Sequence, residues 1–141
     1  MKGDDIAERL LEFAVAVFEI TTRLPANRPG RHLAFQLVRA GTAAGAHYEE
    51  ARSAESRADF VHKICLVALE VRESRYWLNV IQRARFLETD LSRRLRKATE
   101  LAAILAASAK TARTDSKPFA HWLFPFPGSQ FPVRQFGSTL G

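Results

Sequence analysis

Across the first hundred or so residues, apolar side chains recur at alternating intervals of four and three, and this spacing constrains the fold more than any other feature. Ile6, Leu10, Phe13, Val17, Ile20 and Leu24 form one such series, and Phe60, Ile64, Val67, Val71, Ser74, Leu78 and Ile81 form a longer one with a single polar member. Leu33, Leu37, Ala40, Ala44 and Tyr48 share one side of a second segment, while Leu91, Leu95, Ala98, Ala102 and Leu105 mark a fourth. A helix turns about 100° per residue, so each series collects into one stripe that has to be buried against another element. The spacing predicts helices over about 5–24, 31–52, 56–81 and 91–113. Four single-striped helices joined by short connections bury their stripes together as an antiparallel up-and-down four-helix bundle, and the fold class is all-α. The bundle takes residues 1–113.

The connections carry matching signals. "LPANRPGR", residues 24–31, holds two prolines, an Asn and a Gly, which stop one helix and turn the chain. Ser53 or Ser56 is placed to cap the third helix and Thr89 or Asp90 the fourth, each side-chain oxygen accepting a bond from an N–H of the first turn. Small residues crowd "AGTAAGA" in the second helix, where another helix backbone can approach closely. From Thr114 the composition changes: four of the six prolines and five of the ten phenylalanines fall in the last 28 residues. Residues 114–141 are expected to form an irregular, aromatic and Pro-rich tail. A flexible extension is one reading of it; disordered tails are poor in aromatics, so packing on a bundle, its own or a neighbour's, is the other.

Several classes of function are excluded or disfavoured by composition. A single Cys65 forms no internal disulfide and no multi-cysteine metal site. No apolar run reaches membrane-spanning length, and "MKGDDIAERL" lacks the order of a signal peptide, so a cytoplasmic location is expected. With 21 Lys+Arg against 15 Asp+Glu, the net charge of +6 favours polyanionic partners.

The third helix carries more than its stripe. Leu69, Tyr76 and Val80 lie almost opposite the core series, and a second apolar patch on one helix predicts burial against another subunit. Flanking the stripe are Asp59, Lys63, Leu66, Glu70, Glu73 and Trp77. Lys63 and Glu70 are expected to meet Arg39, Glu49 or Glu50 across a helix interface. The whole set, with Gln36, reads as a polar network that fixes bundle register rather than as a catalytic site. No nucleophile or metal-ligand partner accompanies the carboxylates. Asp59-Phe-Val-His62 approaches one Glu-x-x-His element of a di-metal bundle, but a second is missing. No metal or cofactor is expected.

Residues 35–81, "FQLVRAGTAAGAHYEEARSAESRADFVHKICLVALEVRESRYWLNVI", resemble the four-helix-bundle family of the 23S ribosomal RNA intervening-sequence proteins. The pattern consists of Gln36 and Arg39-Ala40, an acidic residue closing the second helix, a Ser-rich turn, Phe60 with His62-Lys63, then Glu70, Glu73 and Trp77-Leu78. The sequence differs where many members have a Ser-Ile…Asn-Ile run before the acidic residue. The resemblance implies an up-and-down bundle that assembles into a ring-like homopentamer. It also implies kinship with the accessory variability determinant of diversity-generating retroelements, a basic bundle that binds nucleic acid and a reverse transcriptase.

The residues support two functional readings. In the first, a non-enzymatic oligomeric scaffold binds RNA or DNA through Arg93, Arg94, Arg96 and Lys97 of "SRRLRK", with Arg83 and Arg85 just before it. In the second, Arg57 and His62 satisfy the Arg-x4-His spacing of HEPN-type RNases, His62 serving as acid or base and Arg57 stabilising phosphate charge. The two lie about 140° apart on a helical wheel and Ala58 stands where a polar residue is usual, so the scaffold is the preferred reading. A protein–protein scaffold that docks through residues 119–136 is the remaining option.

Overall fold

The structure, a computed structural model, describes residues 3–115. The readings of the tail beyond Asp115, including a docking segment at 119–136, lie outside the described residues. Four helices succeed one another in the order α1 (Gly3–Thr21), α2 (Arg28–Arg52), α3 (Arg57–Arg83) and α4 (Ser92–Thr114), with no strand among the described residues. Each packs on its sequence neighbours, and α1 returns to touch α4, closing the bundle. Helices α1 and α3 therefore stand diagonally, their outer faces pointing away from each other.

The four predicted stripes meet in one core. Leu10, Val17, Leu37, Ile64, Val67, Val71, Leu78, Ile81, Leu101 and Leu105 are almost fully buried. Ser74 is buried with them, its hydroxyl donating to the Glu70 carbonyl one turn back at 2.8 Å, so the polar member of the long stripe costs no unpaired group. Leu24 lies past the end of α1 and is half-buried, as are Leu95 and Ala102. The small residues of α2 do what small residues permit: Gly41 is buried against Val17 of α1.

The second helix begins three residues earlier than its spacing predicts. Asn27 caps it, accepting from the Gly30 N–H at 2.9 Å, and Pro29 sits in the first turn, where a missing N–H leaves no helical bond unmade. Gly30 is needed for a steric reason, since a Cβ there would stand 2.0 Å from the Pro25 carbonyl oxygen. Ser56, not Ser53, caps α3 by accepting from the Asp59 N–H at 3.1 Å. At the start of α4, Asp90 accepts from both the N–H and the hydroxyl of Ser92, at 2.9 and 2.6 Å. These bonds, the hydroxyl first, hold the Asp90 carboxyl below its ordinary pKa.

The end of α3 is a Schellman turn. The Phe86 N–H reaches back to the Ile81 carbonyl and the Arg85 N–H to that of Gln82, with Arg85 at φ 55 in the left-handed region that glycine normally occupies. Phe86 packs against the core beside the turn.

Candidate nucleic-acid interface

Antiparallel topology brings the α1–α2 and α3–α4 connections to the same end of the bundle, and both are rich in arginine. Arg23, Arg28 and Arg31 come from the first, Arg83, Arg85 and Arg93 from the second, and all six are exposed. A small cavity of about 200 Å³ shows the two connections in contact, lined by Arg23, Arg93 and Arg94 with Glu19, Leu87 and Asp90 among others. Arg31 donates to the Ala26 carbonyl at 2.6 Å, which stiffens the first connection without neutralising its charge. Glu88 and Asp90 are the acidic residues of the second connection. The opposite end holds Asp4, Asp5, Glu49, Glu50, Glu55 and Asp59 together with Arg52, Arg57, Lys110 and Arg113, so charges of both signs mix there, whereas arginine predominates at the end formed by the two connections. Arginines without a fixed carboxylate partner are the groups that contact phosphate oxygens.

The run "SRRLRK" does not form one continuous patch. Arg93 and Arg96 are exposed, but Arg94 lies 3.9 Å from Glu19 of α1, and Arg94 and Lys97 line a groove with Glu8, Glu12 and Glu19. A helix places residues three and four apart on one side, so the run is split between the basic end and the acidic flank of α1. Sequence reasoning misses Arg23, Arg28 and Arg31. Their signal is present in "RLPANRPGR", but only the bundle topology sets them beside Arg83, Arg85 and Arg93.

The polar network is smaller than the sequence suggests. Arg39 donates to Gln36 at 3.0 and 3.1 Å, bonds Glu73 across the α2–α3 seam and stands 3.8 Å from Glu70. The Trp77 indole N–H donates to the same Glu73 oxygen at 3.3 Å, and His32 and Tyr76 pack edge-on to the Trp77 ring. Lys63, Glu49 and Glu50 are elsewhere. Lys63 pairs with Asp59 one turn earlier at 2.9 Å and Glu49 with Arg52, while Glu50 lies 3.5 Å from His47 Nδ1. Each has its ionisable neighbour on its own helix at i,i+3 or i,i+4. At this end of the bundle, opposite the two connections, Arg52 also bonds Asp4. Burial lowers the Arg52 pKa, but the Asp4 bond and the two carboxylates outweigh this and raise it.

Two apolar surfaces lack cover among the described residues. Leu69 and Tyr76, both 58% exposed, form one on α3, whereas Val80 is half-buried against the core and adds little to it. Phe35 projects from the neighbouring α2. The other surface has no counterpart among the sequence expectations: Leu11, Val15 and Phe18 repeat the four-three spacing on the outside of α1. Arg57 and His62 border one shallow groove, but the Arg57 guanidinium donates to the Asp115 carbonyl, and among the described residues no carboxylate lines the groove. Among the described residues no group of three or more His, Cys, Asp or Glu gathers as metal ligands, and no helix is long and apolar enough to cross a membrane.

Residues 4–107 match the family model of the 23S rRNA-intervening sequence protein. The chain belongs to that family. A solved structure from the S23 ribosomal protein family of Bacteroides thetaiotaomicron VPI-5482, a protein of unknown function, is 30% identical and superposes with a TM-score of 0.72. The match covers all of that chain and 79% of this one. No curated protein matches this sequence.

Proposed function

We propose that this family member is a non-enzymatic scaffold that assembles into a ring and binds nucleic acid through the arginine-rich end of the bundle. The observation that carries the reading is the gathering of six exposed arginines, from two connections, at one end of a bundle whose two apolar faces lie on opposite sides. Leu11, Val15 and Phe18 on α1 differ from Leu69 and Tyr76 on α3, so a contact between them is heterologous, head to tail, and a closing rotation gives a ring. The family resemblance implies five copies. In such a ring every bundle points the same way, and every copy presents Arg23, Arg28, Arg31, Arg83, Arg85 and Arg93 on one face. Repeated weak phosphate contacts then add along a single polyanion.

Assembly and binding are tested separately. Light scattering of the full chain should show a species near five copies, and Val15→Glu or Tyr76→Glu should each reduce it by placing an unpaired charge in the contact. Mixed together, the two variants still hold one intact face of each kind and should form a heterodimer. A mixture that stays monomeric refutes the head-to-tail contact. For binding, the affinity for single-stranded RNA or duplex DNA should fall linearly in a log–log plot against salt, by about 0.7 to 0.9 per phosphate engaged. Replacing Arg23, Arg83, Arg85 and Arg93 with Gln should flatten the slope while leaving assembly unchanged. Cleaved RNA, lost in His62→Ala, would instead support the RNase reading, and neither binding nor cleavage would leave a protein–protein scaffold.

A further inference from the structure

An open groove of about 690 Å³ runs along the outside of the bundle where the first turns of α3 meet the end of α4. Ala58, Val61 and Cys65 give it an apolar floor, and Arg57, His62 and Arg113 stand around it. The rim is anchored on both helices. Arg113 donates to the Cys65 sulfur at 3.4 Å, and the Arg57 guanidinium donates to the Asp115 carbonyl. Asp115 succeeds the last turn of α4 in an extended conformation, its N–H still bonded to the Thr111 carbonyl at 2.9 Å. The chain therefore leaves the bundle at the edge of this groove.

The sequence beyond Asp115 has matching chemistry. Phe119, Trp122, Leu123, Phe124 and Phe126 fall within eight positions. An extended chain advances at most about 3.6 Å per residue, so Phe119 lies within about 14 Å of Asp115, which is close enough to reach this groove. We propose that residues 119–126 of the same chain occupy the groove, their aromatic rings on Ala58, Val61 and Cys65 and under the guanidinium groups of Arg57 and Arg113. A guanidinium over an aromatic face is attracted by the ring quadrupole, and Arg is the residue that most often does this. The short tether sets an effective concentration in the millimolar range, which favours the chain's own segment over a neighbour's. Pro118, Pro125 and Pro127 restrict the conformations of the free segment, so less entropy is lost on docking. Docking here is separate from the proposed nucleic-acid surface, because the groove lies at the end of the bundle opposite Arg23, Arg28, Arg31, Arg83, Arg85 and Arg93.

Cys65 is the single cysteine and reports directly on whether the groove is covered. The experiment measures the rate of Cys65 alkylation by a maleimide in the full chain and in a full-length variant carrying Phe119→Ser, Trp122→Ser, Phe124→Ser and Phe126→Ser. These substitutions leave residues 3–115 untouched, and circular dichroism checks that the helices remain. The variant should react at least about tenfold faster, the factor expected if the groove is open in no more than about 10% of wild-type molecules. Protection should be independent of protein concentration. Equal rates in the two proteins would overturn the proposal. So would protection that weakens on dilution, since the occupant would then be another copy's segment.

Discussion

Gly41 sits where α2 crosses α1, and the geometry there predicts a change of sign that few accidents would reproduce. A methyl group on its Cα would stand 2.8 Å from Val17 Cγ2, 3.2 Å from Cγ1 and 3.3 Å from Cβ. Val17 is 1% exposed and β-branched, so its side chain has little freedom to turn away. Gly41→Ala therefore gains about 1 kcal/mol of helix propensity and loses about 1–3 kcal/mol to overpacking, for a net loss of about 1 kcal/mol. Val17→Ala alone leaves a cavity and costs about 2 kcal/mol. In that background both Cγ atoms are gone, the contact that remains, 3.3 Å to the residue-17 Cβ, needs a shift of only a few tenths of an ångström, and the new methyl of Gly41→Ala fills part of the space the Cγ atoms left. The second substitution should then stabilise by about 1 kcal/mol, a coupling of about 2 kcal/mol between the sites. Urea unfolding of the four proteins at one fixed concentration measures this, since assembly would make each midpoint concentration-dependent. If Gly41→Ala shifts stability by the same amount and sign in both backgrounds, α1 and α2 are not in close contact at this point.

Other perturbations have equally definite outcomes. Arg39→Gln or Glu73→Gln should cost about 1 kcal/mol in thermal melts, not the roughly 3 kcal/mol of a buried pair, because the two side chains are 40% and 36% exposed; a larger loss would mean that the seam is dry. Gly30→Ala should destabilise by about 2 kcal/mol or more, since the Pro25 carbonyl is backbone and cannot swing aside, and an unchanged melting temperature would contradict the close approach. Arg85→Gly should raise stability by about 1 kcal/mol by removing the left-handed strain, yet weaken polyanion binding; a variant that gains stability and binds as before would place Arg85 outside the interface. The Asp90 carboxyl has a lowered folded pKa, so its contribution is complete above about pH 3.9 and is lost as pH falls through the depressed value. Asp90→Ala should therefore melt earlier than wild type near pH 7, with the gap narrowing near pH 2, and a gap that widens in acid would reverse the assignment.

The fold is legible in the sequence because burial imposes a period, and each of the four stripes keeps it over several turns. Local chemistry is harder to read. Pro29 resembles a breaker because prolines usually are, but the first turn of a helix lacks N–H partners anyway and tolerates it. The partners of Lys63, Glu49 and Glu50 differ from expectation because spacing along one helix does not reveal which helix stands opposite or at what height. Val80 shares the outward side with Leu69 and Tyr76 on a wheel, but it is half-buried against the core. Leu11, Val15 and Phe18 are hidden in the sequence because they repeat the spacing of the core stripe beside them. The basic end is half visible, since Arg83, Arg85 and Arg93 can be found by charge alone. Joining them to Arg23, Arg28 and Arg31 requires knowing which connections share an end.

Helix α1 is held mainly from one side, by α2, and meets α4 only sparsely. In time rather than in space, this makes the molecule a three-helix unit on which the fourth helix opens and closes. Local openings are cheapest where the fewest apolar contacts must part, so the amides of α1 should exchange with solvent before those of α3, which is packed on both flanks. The same helix carries Leu11, Val15 and Phe18, so a subunit docking on that face would hold α1 shut. Association would then be felt first as slowed exchange along Gly3–Thr21, and a chain diluted to single copies would lose that helix's protection before any other.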